Sequence, residues 1–135
     1  MRETAVPVLV TDDPRAVLGG IAARVYGTYR RQLALFGVTG TNGRTSNVHL
    51  LGAMLEQLGI PAGHSSTADR RTGSTTVASR LTSPEAPELH ALLAWMVEDG
   101  VHAAAVEVSA QALSYHRVDG VVFDGSGSPT SAMTT

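Results

Sequence analysis

At 135 residues, with 43% hydrophobic and 16% charged residues, the chain has the composition of one small globular domain rather than of a disordered segment. A net charge of −2 gives no electrostatic reason to expect nucleic acid or an anionic membrane as partner, and the absence of cysteine excludes disulfides, thiolate nucleophiles and cysteine-ligated zinc. No apolar run approaches the roughly 20 residues of a membrane span, and Met1-Arg2-Glu3 does not open a signal peptide, so a cytoplasmic setting is expected.

All ten basic residues are arginine, so chemistry that needs a lysine cannot be completed within this chain. Val6-Pro7-Val8-Leu9-Val10 reads as a short edge strand, because Pro7 has no N–H for a central ladder. Asp13-Pro14 predicts a helix start, with Asp13 as N-cap and Gly27 as a stop. Val17, Leu18, Ile21, Ala22 and Val25 are spaced to form its buried face, and Tyr26 and Tyr29 are expected to pack. Leu33 to Val38 follows as a strand, leading into the glycine-rich stretch from Gly37 to Ser46. The next helix is predicted over 45–58, with Val48, Leu51, Leu55 and Leu58 on one stripe and Gly59 and Pro61 closing it.

Residues 62–79, rich in Ser, Thr, Gly and Arg, read as a short strand and a hairpin or exposed loop. Thr82-Ser83-Pro84-Glu85 predicts a hydroxyl-capped helix start, with Leu89, Leu92, Leu93, Met96 and Val97 inward and Trp95 in the core. Val101 to Val108 is an apolar strand, followed by a short helix over 110–115 and one more strand over 118–123. Strands alternating with helices predict an α/β fold, a parallel sheet with flanking helices. Ligands in such sheets bind at the carboxyl ends of the strands, where residues 39–46 and 107–109 both fall.

The stretch GVTGTNGRTS has the parts that hold a phosphate chain. Glycines allow φ > 0 and bring backbone N–H groups close, the following helix offers unpaired N–H groups, and Arg44 and Thr45 supply a cation and a hydroxyl. The spacing from Gly37 to Gly43 is one residue longer than the usual phosphate loop, and Arg44 stands where that loop has lysine. A plain strand-to-helix turn is the competing reading. Glu107, closing an apolar strand, is either a capping residue or a metal ligand; with the Thr45 hydroxyl and phosphate oxygens it would suit Mg²⁺. Thr82 and Ser83 could contact substrate, though capping is the preferred reading. Ser109 has no base beside it in a nucleophile arrangement. His116-Arg117 could grip an anion or form a solvated turn. His49, His64, His90 and His102 show no metal-ligand spacing and are expected in surface or core roles.

Four ordered motifs, GVTGTNGRTS, RLTSPEAPELHALL, EVSAQAL and HRVDGVVFD, closely resemble the Mur ligases of peptidoglycan synthesis over Val6 to Asp124. The nearest branch is the one that adds the third residue of the stem peptide. The resemblance implies the central domain of an ATP-dependent amide ligase, in which a substrate carboxylate is phosphorylated and the amine of an amino acid attacks the acyl phosphate. It implies ATP contacts at Gly40, Thr41, Asn42, Gly43, Arg44, Thr45 and Ser46, Mg²⁺ ligands at Thr45 and Glu107, and contacts to a UDP-MurNAc-dipeptide substrate at Thr82, Ser83, Ser109 and Arg117. Arg44 replaces the loop lysine, which is not a conservative exchange at a tight phosphate site. Ser83 replaces threonine, and Ala110-Gln111 stands where Ser-His is common in the family.

By the same resemblance, residues 1–31 are the end of the uridine-nucleotide domain, 32–124 the first part of an incomplete central domain, and 125–135 a low-complexity tail. A permitted coding of GSGSPTSAMTT, read from its third base, encodes FGFTNLSHDH, the motif with which the family continues. The tail therefore reads as frameshifted, and the chain alone is expected to be inactive. Three rival readings are a folylpolyglutamate or cyanophycin synthetase, against which RVDG and LTSPE argue, a non-catalytic module that binds nucleotide or a partner protein, and a non-functional, poorly folded product.

Overall fold

The computed structural model describes residues 5–30, 33–80 and 82–128. Its elements run α1 (Pro14–Tyr26), β1 (Ala34–Val38), α2 (Arg44–Gln57), β2 (Ala62–Ser65), β3 (Asp69–Arg71), β4 (Thr76–Ala78), α3 (Ala86–Glu98), β5 (Ala103–Glu107), α4 (Ala110–Ser114) and β6 (Gly125–Gly127). The six strands form one sheet in the order β4-β3-β2-β5-β1-β6. The β2, β5, β1 and β6 strands are parallel, and the β3–β4 hairpin adds an antiparallel edge. The expected α/β sheet with flanking helices and the hairpin within residues 62–79 are both present.

Strand β5 is buried at every position, Ala103 through Glu107, because helices cover both faces of the sheet. On one face Leu35, Ala104 and Val106 pack with Leu89, Leu92, Leu93 and Met96 of α3. On the other, Val38 and Ala105 pack with Val48 and Leu51 of α2. The alternation of Leu35 with Val38, and of Ala104 with Ala105, follows from the two-residue period of a strand. Gly59, at φ 78°, ends α2 as expected.

Several local expectations are corrected. Helix α1 starts on Asp13, whose side chain accepts a hydrogen bond from the Ala16 N–H, and stops at Gly27 in the left-handed region. Its buried face, however, is Gly19, Ala22 and Ala23, while Val17, Leu18, Ile21 and Val25 stay exposed. The reason is close approach: a Cβ on Gly19 would lie 2.4 Å from the carbonyl oxygen of Asp119, so only a face of small residues can seat here. Tyr26, Tyr29 and Trp95 are exposed rather than packed in the core, and Leu58 also lies outside the buried stripe of α2. Residues 6–10 form no strand of the sheet, and their apolar side chains face solvent.

Helix α3 is not capped by a hydroxyl. Its N-cap is Glu85, with no side-chain capping bond, so Ser83 is available for another role. The last strand is β6 rather than residues 118–123, and it includes residues assigned above to the tail. Val121 and Phe123 pack on the core, but the backbone pairing with β1 is made by Gly125–Gly127. Asp124 sets this register by accepting from the Leu35 N–H at 2.8 Å and returning its own N–H to the Leu35 carbonyl. Pairing of this kind uses main-chain groups alone, so a Gly-Ser-Gly run can make it without any apolar signal. The tail residues 129–135 lie outside the described residues.

Candidate functional site

Because β1 and β5 are parallel neighbours, their carboxyl ends open on the same side of the sheet. Val38, the last residue of β1, stands in register with Glu107, the last of β5. The Val38 carbonyl accepts from the Val108 N–H at 2.8 Å, which locks the two strand ends together. Beyond β1 the chain turns through Gly40 at φ 121° and Gly43 at φ 76°, conformations that suit glycine and strain other residues. Gly43 is the N-cap of α2 and makes no side-chain capping bond. The first-turn N–H groups of Arg44, Thr45 and Ser46 therefore lie on the loop side of the helix without a capping side chain.

Glu107 is 2% exposed and carries the densest set of polar contacts in this region. It accepts from Thr45 Oγ1 at 3.0 Å, from the Thr67 N–H at 2.9 Å and from Thr67 Oγ1 at 3.0 Å. The Arg44 guanidinium lies against it, with Nε 3.4 Å from Oε1. Arg44 thus turns back onto the carboxylate and balances its charge, rather than reaching over the loop as a straight lysine would. A hydroxyl has one hydrogen, so Thr67 Oγ1 donates to Glu107 and the Thr82 hydroxyl, 3.0 Å away, donates to Thr67.

Ser83 is buried and donates to the main-chain carbonyl of Glu107 at 3.0 Å, while accepting from the Ser109 N–H at 3.4 Å. Ser109 caps α4 by accepting from the Ala112 N–H. Thr45, Glu107, Thr82, Ser83 and Ser109 therefore form one hydrogen-bonded group at the strand ends. Arg117 is outside it: its guanidinium lies beside Glu85, with Nε 3.4 Å from Oε1, and over the Tyr115 ring. His116, at φ 56°, pairs with Asp119 at 2.9 Å.

Thr67 is the member that sequence reasoning missed. Its signal was its place two residues past the end of β2, a parallel strand, hidden because residues 62–79 look like a polar loop.

One turn along α2 from Thr45, two histidines meet a carboxylate. His49 Nε2 is 3.0 Å from Asp69 Oδ1 and His64 Nε2 is 2.6 Å from the same oxygen. Partial burial acts to raise the Asp69 pKa, but the hydrogen bond and charge of His64, then those of His49, outweigh it and hold the carboxyl below its ordinary 3.8. His90 is a core residue as expected, with Nε2 donating to the Asp119 carbonyl and Nδ1 facing the Thr28 hydroxyl.

A mostly parallel α/β sheet with a glycine-rich loop between an interior strand, β1, and a helix, and an acid at the end of the neighbouring strand, defines a phosphate-loop type of α/β domain. Residues 38–126 match the Mur ligase middle domain, and the chain belongs to the Mur ligase family. It is 63% identical over 121 residues to the UDP-N-acetylmuramyl-tripeptide synthetase of Leifsonia xyli, covering 90% of this chain and 24% of that protein. It is 46% identical over 121 residues to the UDP-N-acetylmuramoyl-L-alanyl-D-glutamate–2,6-diaminopimelate ligase of Streptomyces avermitilis, again covering 90% and 24%. A solved structure of a ligase with that same name superposes with a TM-score of 0.77 at 21% identity, over 89% of this chain and 25% of the other. The chain spans about a quarter of the length of the curated relatives it matches.

Proposed function

We propose that this chain carries the ATP-phosphate part of a ligase that adds the third stem-peptide residue to a UDP-MurNAc-dipeptide in the cytoplasm. Residues 32–124 are the first part of its central domain and residues 1–31 the end of the preceding one. The observation that carries the reading is the pairing of the Thr45 hydroxyl with the buried Glu107 carboxylate, 3.0 Å apart, directly beneath the Gly40–Gly43 turn. Both are hard oxygen donors of the kind Mg²⁺ takes, and a buried acid in register with the strand that enters the loop is otherwise costly to keep. Gly40, Thr41, Asn42 and Gly43 would let the backbone close on phosphate oxygens. The N–H groups of Arg44, Thr45 and Ser46 would donate to them.

When bound, Mg²⁺ would offset the charge of the phosphates. Arg44, whose guanidinium lies against Glu107, would give up that contact to a bound cation and turn its positive charge toward the phosphates. The Thr67 N–H holds the Glu107 carboxylate in place meanwhile. Thr82 and Ser83, tied to Glu107 through Thr67 and through the main chain, place the substrate side of the cleft. Thr82 keeps its accepting capacity for substrate, the buried Ser83 braces the Glu107 main chain behind it, and Ser109 and Arg117 extend that side toward α4.

Calorimetry of ATP·Mg²⁺ binding tests this. The parent chain should bind, Thr45→Ala should weaken binding by roughly 10-fold or more, as loss of one metal or charged hydrogen-bond contact does, and Arg44→Lys should retain it. No binding by either the parent or Arg44→Lys would overturn the reading.

A further inference from the structure

We propose that His49, His64 and Asp69 form a binding site for a divalent transition metal of the Zn²⁺ class, separate from the Thr45–Glu107 pair. The three ligand atoms come from α2, β2 and β3 and all lie within 4.8 Å of one another. His49 Nδ1 is 2.8 Å from the Thr45 carbonyl oxygen, which can only accept, so Nδ1 carries the hydrogen. In the neutral tautomer this leaves the Nε2 lone pair aimed at Asp69 Oδ1, 3.0 Å away, and His64 Nε2 approaches that oxygen from a second direction. The two rings are 4.5 Å apart between centroids and tilted by 56°, so they converge on one point rather than stack.

Lone pairs meeting at this range need a positive charge between them, a proton or a metal ion. Ligand atoms around a tetrahedral zinc with bonds near 2.0–2.1 Å sit roughly 3.3 Å apart. Opening the observed 3.0 and 2.6 Å separations to that value takes about 0.3 and about 0.7 Å. The hydrogen bond from Nδ1 to a main-chain carbonyl is the outer-shell contact that ligating histidines use to hold tautomer and ring orientation. Two imidazoles and one carboxylate favour Zn²⁺, Co²⁺ or Ni²⁺ over Mg²⁺, which prefers oxygen alone.

A cavity of about 100 Å³, lined in part by His49, His64, Glu56 and Arg71, adjoins the cluster and leaves room for a water or small anion as further ligand. Arg71 is paired with Glu56 at 2.9 Å, so its charge is met before a cation arrives. Occupancy would cross-link the helix that carries Thr45 to the edge of the sheet.

The test uses the metal-stripped full chain and two probes, Co²⁺ for its visible absorption and Zn²⁺ by equilibrium dialysis. One equivalent of metal should bind, and NMR should show the ring signals of two of the five histidines shifting on Zn²⁺ addition. His49→Ala, His64→Ala and Asp69→Asn should each weaken binding by roughly 100-fold or more, above the loss known for outer-shell changes. Thr45→Ala keeps the main-chain carbonyl and should keep Zn²⁺ affinity while losing ATP·Mg²⁺ affinity, which separates this site from the one proposed above. A parent chain that takes up no Co²⁺ or Zn²⁺, uptake unchanged in all three ligand variants, or shifts confined to His90, His102 or His116 would each overturn the proposal.

Discussion

Replacing Glu107 by glutamine keeps its shape and removes its charge, and so measures what the buried carboxylate does in the folded chain. The carboxylate takes three hydrogen bonds, from Thr45 Oγ1, the Thr67 N–H and Thr67 Oγ1. A hydrogen bond to a charged group contributes about 1.5–3 kcal/mol, against about 0.5–1.5 for a neutral one, so each loses about 1 kcal/mol. The amide oxygen can serve Thr45 and the Thr67 N–H together. The amide nitrogen must then take the Oε1 position, where the Thr67 hydroxyl can rotate to accept but the Arg44 Nε–H cannot. Arg44, one-fifth exposed, can swing into water, so its loss of a partner costs little.

Against these losses stands relief from burying a charge, a contribution of a few kcal/mol that the existing partners already offset in large part. The net expectation is a destabilisation of about 1–3 kcal/mol. At roughly 4 °C per kcal/mol for a domain of this length, the melting temperature falls by about 4–12 °C. Urea unfolding followed by circular dichroism should show a lower midpoint at an unchanged slope. Glu107→Gln as stable as the parent, or more so, would refute this reasoning and recast Glu107 as a strained group held only for ligand binding.

Two further outcomes follow from contacts away from this pair. Gly19→Ala places a Cβ 2.4 Å from the Asp119 carbonyl oxygen and 2.6 Å from its Cβ. Despite the better helix propensity of alanine it should destabilise by about 1–3 kcal/mol, as overpacking does, whereas Gly20→Ala, with open space around it, should stabilise in the same thermal melts. Asp99 accepts from the Ser74 side chain, the Ser74 N–H and the Thr72 hydroxyl, in that order of weight, and these hold its pKa below the ordinary 3.8. A lowered folded-state pKa means the contribution to stability is present above pH 3.8 and fades as pH falls through the lower, folded value. Asp99→Asn should therefore lose stability near neutral pH and show a shallower acid limb below about pH 4 in pH-dependent unfolding; an acid limb of unchanged slope would count against these bonds.

Features carried by neighbouring residues were legible in the sequence. The Asp13 cap, the Gly27 and Gly59 stops, the strand–loop–helix around Gly40–Gly43 and the acid at the end of β5 each depend on a few adjacent side chains and the backbone conformations they permit. The buried face of α1 was misread because the sequence reports which residues are apolar, whereas Asp119 decides how close the neighbouring chain comes, and only Gly19, Ala22 and Ala23 leave it space. Ser83 reads as a cap from its place before a helix, yet its hydroxyl is taken by Glu107, a strand and a helix away.

By itself the sequence determined the α/β class, the glycine-rich loop between strand and helix, the pairing of Thr45 with Glu107 as a chemical possibility, and the family. Only the tertiary structure decided that Thr67 completes the hold on Glu107, that Arg44 turns inward, that Gly125–Gly127 rather than the apolar run before it becomes the sixth strand, and that His49, His64 and Asp69 converge. The physical reason is strand order. Local propensity acts through neighbours along the chain, while β5 inserts between β1 and β2, and the β2–β3 hairpin folds back beside α2, through burial and main-chain pairing that no short stretch encodes.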